Sequence, residues 1–201
     1  MTDGLTIENS TENFETWIAK DFVSDELKPS LHQTSILLVP TIGFRKQNEP
    51  TFPVLTEDLY YYFKENLPKE YSVELCIDES KYLEIALHSN YKRIGNFIVK
   101  DIVLPIFIGL LVAYITEKYI RPEEAKPHIN IVNIDNSSHT TIINEDVKPS
   151  PKIYLAPTKV TFSVTVVDTN GTSKEYKYEG EAKDVKVVTE EIKKLWDNDK
   201  K

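Results

Sequence analysis

The chain has 201 residues, 40% hydrophobic and 10% aromatic, which supports a packed core and excludes wholesale disorder. Its net charge of −8, with no dense Lys/Arg block, argues against phosphate-driven binding, so no nucleic-acid partner is expected. The single cysteine, Cys76, excludes an intrachain disulfide and fits a reducing compartment.

Residues 1–12 are polar and acidic. They lack the basic start and apolar core of a secretory signal, so they read as a mobile tail, and the first ninety or so residues are expected in the cytosol. Position 2 is Thr and the last residue is Lys, so neither a myristoylation nor a prenylation motif is present. Phe14, Trp17, Ile18 and Phe22 recur at helical spacing after the potential caps Ser10, Thr11 and Asn13, predicting a helix over 13–27 that stops before Pro29. The apolar run Ser35–Ile42 predicts a buried strand whose pairing ends near Pro40. Thr56, with Glu57 and Asp58 in a first turn, opens a helix continued by Leu59, Tyr60, Phe63 and Leu67 and stopped by Pro68. Tyr71–Ile77 alternates, and Leu83, Ile85 and Leu87 alternate again; matching the apolar faces predicts a hairpin with its loop centred on Ser80. These elements form an expected N-terminal α+β domain over 13–93.

The next feature dominates the chain. Ile102 to Thr116 runs without a charge, and apolar residues flank it at Phe97–Val99 and at Tyr119 and Ile120. A helix over 96–119 would span about 36 Å at ~1.5 Å per residue, enough for a hydrocarbon layer of ~30 Å. Lys100 and Lys118 could reach headgroups and Tyr114 suits an interface, but Asp101 falls awkwardly inside the span. The residues expected to meet lipid are Phe97, Ile102, Leu104, Pro105, Phe107, Gly109, Leu111, Tyr114 and Ile115. The competing readings are a helix buried in protein and a helix that forms an oligomer: a rod apolar on every side must be surrounded by something. Four basic residues before the segment (Lys81, Lys92, Arg93, Lys100) and three after it (Lys118, Arg121, Lys126) give almost no orientation.

Beyond a Pro-bounded linker, residues 122–150 read as an Asn-rich linker or β-ribbon, with candidate strands at 128–135 and 140–144. In 152–201, Val160, Phe162, Val164 and Val166 share a face, as do Tyr176 and Tyr178, and Asn170-Gly171 signals a hairpin between them. Matching faces favours an odd loop centred on Gly171 that pairs Val166 with Tyr176. Val185, Val188, Ile192, Leu195 and Trp196 then predict an amphipathic helix over 182–197.

No catalytic, cofactor or metal signature emerges. Glu74 and Asp78 beside Cys76 disfavour a thiolate. His32, His88, His128 and His139 lack metal-ligand spacing; His128 and His139 could approach only across the proposed ribbon. In Asp168-Thr-Asn-Gly171 the glycine falls at position four, where a calcium loop needs it at six. Sequons at Asn9, Asn136 and Asn170 fit turns, and Tyr60–Tyr62 fits the flank of a core helix.

The expectation is therefore an α+β protein: two small modules joined by one hydrophobic, transmembrane helix, with the N-terminal module cytoplasmic. Its function would be non-enzymatic binding, scaffolding or sensing at the lipid bilayer, with an unidentified protein partner or a second copy, and with no cofactor. The alternative is a soluble cytosolic protein, adaptor or enzyme, that buries 96–119. A membrane-perturbing effector is the bolder variant.

Overall fold

The computed structural model describes residues 4–43, 49–86, 91–120 and 157–199. The ribbon expected over 122–150, with His128 and His139, lies outside them, as does His88. The fold is α+β. Six strands form one mixed sheet in the order β1 (Leu5–Ser10), β8 (Ser173–Glu181), β7 (Lys159–Val167), β6 (Tyr91–Lys100), β2 (Ile36–Val39) and β4 (Val73–Leu75), and β3 (Phe52–Pro53) and β5 (Glu84–Ile85) form a small parallel pair.

The chain opens with β1 (Leu5–Ser10), an edge strand antiparallel to β8. This corrects the expected tail: besides its backbone, only Leu5 and the half-buried Ile7 of this polar segment meet the core. Of the helix expected over 13–27 only α1 (Phe14–Ile18) forms, and a second short helix, α2 (Lys28–Gln33), follows beyond it. Asn13 and Thr16 exchange side-chain and backbone hydrogen bonds at 3.0 and 2.9 Å, capping α1. Pro29 sits in the first turn of α2, where its missing N–H costs nothing, so it opens a helix and does not end one.

β2 (Ile36–Val39) lies inside the sheet and is buried at all four positions, which accounts for its unbroken apolar run. After β3 (Phe52–Pro53) comes α3 (Thr56–Asn66). Its cap comes from elsewhere in the chain: the Glu84 carboxylate accepts from the N–H groups of Leu55 (3.1 Å) and Glu57 (2.9 Å). The expected hairpin at 71–87 is absent. β4 (Val73–Leu75) runs parallel to β2, and β5 (Glu84–Ile85) runs parallel to β3. A 3-10 turn at Glu79–Lys81 separates them. Both partners are distant in sequence, and the return through α3 makes β2 and β4 parallel.

β6 (Tyr91–Lys100) holds the centre. It pairs antiparallel with β2 and parallel with β7 (Lys159–Val167), with a bulge between Arg93 and Gly95. β6 precedes the apolar helix and β7 follows it. The two flanks therefore build one sheet where two separate modules were expected. The helix starts at Asp101, not 96, so Phe97 is a strand residue and Asp101 takes the first turn.

The hairpin of β7 and β8 (Ser173–Glu181) keeps the expected faces, with Val164 opposite Tyr176 and Phe162 opposite Tyr178. Its loop is centred on Asn170, not Gly171, so Val166 faces Lys174. One Asp168 carboxylate oxygen accepts from both Asn170 and Thr172 N–H at 2.8 Å, and Gly171 takes φ +84°, a left-handed turn open to glycine. The last helix, α5 (Val185–Asp199), follows a 3-10 turn and agrees with the predicted amphipathic helix.

One face of the sheet, with Ile36, Leu38, Phe97, Val99, Val160, Phe162, Val164, Val166, Tyr176 and Tyr178, meets α3, the apolar helix and α5 in the main core. The other face contributes Leu37, Val39, Ile98 and Val167 to a smaller core with Phe14, Ile18, Val23 and Leu31 from the α1–α2 region.

Candidate functional site: a helix with one face covered

The charge-free segment forms a continuous helix from Asp101 to Ile120. It consists of a 3-10 turn (Asp101–Val103), the α-helix α4 (Leu104–Ile115) and a π turn (Thr116–Ile120). Pro105 falls in the first turn of α4, where it breaks no hydrogen bond. By length and composition the helix could cross a bilayer, yet only 33% of its most apolar stretch is buried.

Its two sides differ. Leu104, Phe107, Leu111, Tyr114 and Ile115 face the sheet and are buried. Phe107 packs edge-on against Phe97 of β6 (ring centroids 5.0 Å apart) and against Phe63 of α3 (5.5 Å). Each such burial contributes about 1.5–3 kcal/mol. The Tyr114 hydroxyl donates to Asp58 of α3 at 2.9 Å, and Asp58 also meets Lys118 at 3.1 Å, tying the two helices together at the end of the layer. Tyr62 stacks obliquely on Tyr114 at 5.3 Å, which is the role of one member of the tyrosine triplet.

Among the described residues nothing covers the outer side in this way. Pro105, Gly109 and Ala113 are exposed, and Ile102 is 68% exposed; Ile106, Ile108, Leu110 and Val112 are half-buried along the flanks. A Cβ placed on Gly109 would meet nothing within 4 Å. A mid-helix glycine costs about 1 kcal/mol relative to alanine, and among the described residues no contact of this face requires it. The nine residues singled out in the sequence thus fall into three groups: Phe97 in β6, five on the covered side of α4, and Ile102, Pro105 and Gly109 on the open side.

The other candidates resolve into structural roles. Cys76 is buried, its thiol donates weakly to the Trp17 carbonyl at 3.7 Å, and burial pushes the thiol up to about 12, so a thiolate is disfavoured. His32 lies 3.2 Å from Glu15 on the surface. Asp168 is occupied in tying its own hairpin. Among the described residues no group of three or more His, Cys, Asp or Glu side chains could hold a metal ion. The sequence reading missed Glu84, whose capping of α3 depends on the β3–β5 pairing and leaves no local signal.

No family model matches the chain, and no curated protein or solved structure shows significant similarity to it.

Proposed function

We propose that this protein is a non-enzymatic scaffold that self-associates through the open side of α4. The observation that carries this is the uncovered apolar strip with Gly109 at its middle and open space above the glycine. Bare glycine backbone lets a second helix approach closely, as small residues do at helix–helix contacts. The strip is also nearly symmetric about Gly109. Pro105 and Ala113 lie four residues to either side, Ile102 and Thr116 seven. A two-fold axis through Gly109 would lay two copies of α4 antiparallel, so that each residue meets its counterpart's mirror position. That arrangement opposes the helix dipoles favourably and brings the Asp101 end of one copy to the Lys118 end of the other.

Sedimentation equilibrium over a concentration series tests this. A mass rising to twice that of the chain is expected, and Gly109→Arg should hold the protein at monomer mass. The arginine has room in the monomer, so loss of association would not reflect misfolding.

A second reading, attachment to a bilayer, is favoured by the twenty-residue length and apolar composition of Asp101–Ile120. Crossing a bilayer would require α4 to leave the sheet and expose Phe107 and its neighbours. Attachment by the open side alone would keep the fold intact. Flotation with phosphatidylcholine vesicles, together with a monomeric mass in solution, would favour this reading over self-association. Release by alkaline carbonate would then exclude a span.

A further inference from the structure

β6 and β7 are parallel neighbours that end side by side at Lys100 and Val167. Beyond them the chain diverges. β6 leads into Asp101 and Ile102 of the apolar helix, while β7 turns into the Asp168–Thr172 hairpin loop. The start of α1 and His32 of α2 form the opposite wall. The crevice so formed has a volume of about 380 Å³, within the range of about 300–1,000 Å³ typical of small-molecule sites. It lies beyond the carboxyl ends of the two parallel strands.

Its chemistry is mixed in a specific way. Lys100 is half-buried, and its ammonium lies 5.3 Å from the Phe14 ring centroid. Burial lowers its pKa, and among the described residues no carboxylate lies within ion-pair distance of it. A partly desolvated cation left without a counter-ion is a cost that an incoming anion would relieve. The crevice is also lined by the carboxylates of Glu15, Asp101 and Asp168. Asp168 uses one oxygen for its hairpin N–H groups and keeps the second. Asp168 and Glu15, the latter shared with His32 at 3.2 Å, would oppose a plain anion, and a plain cation would meet Lys100. Phe14, Ile102 and Val167 supply apolar wall.

We propose that the crevice binds a small zwitterion with an apolar body, the simplest being a free α-amino acid with a branched or aromatic side chain. Its carboxylate pairs with Lys100, its ammonium lies towards Glu15 and Asp168, and its side chain packs on Phe14, Ile102 and Val167. This site is independent of self-association through α4.

Titration calorimetry of the full chain with L-leucine and L-phenylalanine tests the assignment. Two part-ligands serve as controls: 4-methylpentanoate, which lacks the ammonium, and 3-methylbutylamine, which lacks the carboxylate. At least one amino acid should bind with a Kd below about 1 mM, and both part-ligands should bind about tenfold more weakly or worse. Lys100→Met keeps the aliphatic stem over Phe14 and removes the desolvated charge, so it should weaken amino-acid binding at least about tenfold without lowering the thermal midpoint. Amide NMR shifts on titration should cluster at Ile102, Val167 and Asp168. Absence of binding by both amino acids at millimolar concentration would overturn the proposal. So would equal binding of a part-ligand, or binding unaffected by Lys100→Met.

Discussion

Two helices lie side by side on the same face of the sheet and solve the same problem differently. α5 buries Val185, Val188, Ile192 and Trp196 and turns Lys186, Glu190, Lys193 and Lys194 to solvent. α4 buries Leu104, Phe107, Leu111, Tyr114 and Ile115 and turns Ile102, Pro105, Gly109 and Ala113 outward. The inward faces are equivalent in chemistry. The outward faces are not, although both belong to one helical layer. The protein therefore does not lack the means to finish a helix for water; α4 is left apolar where its neighbour is charged. Such contiguous exposed apolar surface marks an interaction site more often than chance exposure does.

The comparison can be broken at the inward faces, where the largest effects are expected. Phe107→Ala removes a ring from the Phe63–Phe97–Phe107 cluster and should cost about 3–5 kcal/mol; Ile192→Ala on α5 should cost about 2–5 kcal/mol. Urea denaturation would measure both. A loss below 1 kcal/mol for Phe107→Ala alone would mean that α4 is not held by the sheet as described. Tyr114→Phe removes the hydroxyl bonded to Asp58, leaves Lys118 as that carboxylate's partner, and should cost about 1 kcal/mol or a little more in the same measurement.

The outward faces sharpen the contrast. Gly109→Arg should stabilise the monomer by about 0.5–1 kcal/mol through helix propensity while abolishing association. The smallest effect is expected at the matching surface of α5, where Glu190→Ala should change stability by less than about 0.5 kcal/mol and leave the sedimenting mass as it was. A change in mass for Glu190→Ala equal to that for Gly109→Arg would shift the association surface away from α4.

What could be read from the chain follows the same contrast. α5 was legible to within about three residues at each end because charges mark its outer side, so the 3.6-residue period stands out. The β7–β8 faces were legible from alternation, but the register slipped because the loop is organised by the Asp168 side chain and not around Gly171. β6 was not legible: only Lys100 and Asp101, with no Gly or Pro, part Phe97–Val99 from Ile102 and Val103, so strand and helix read as one span and the awkward Asp101 was the sole sign of the boundary. β1 carries little local pattern, and the alternation at 71–77 marked β4 as a strand but not its partner; both depend on residues far along the chain, Tyr178 for Leu5 and Ile36 for Val73. Composition marked α4 as important but could not divide its circumference, since an all-apolar helix gives no hint of which side the sheet will take.

The parallel pairing of β6 with β7 has a consequence for fragment complementation. From Tyr91↔Lys159 to Lys100↔Val167 the bonds join polypeptide on either side of the 120–157 connection, and β1 joins β8 across it as well. Excising that connection would leave every strand pair among the described residues in place. The two pieces, ending at Ile120 and beginning at Pro157, should co-elute as one particle and part only in denaturant.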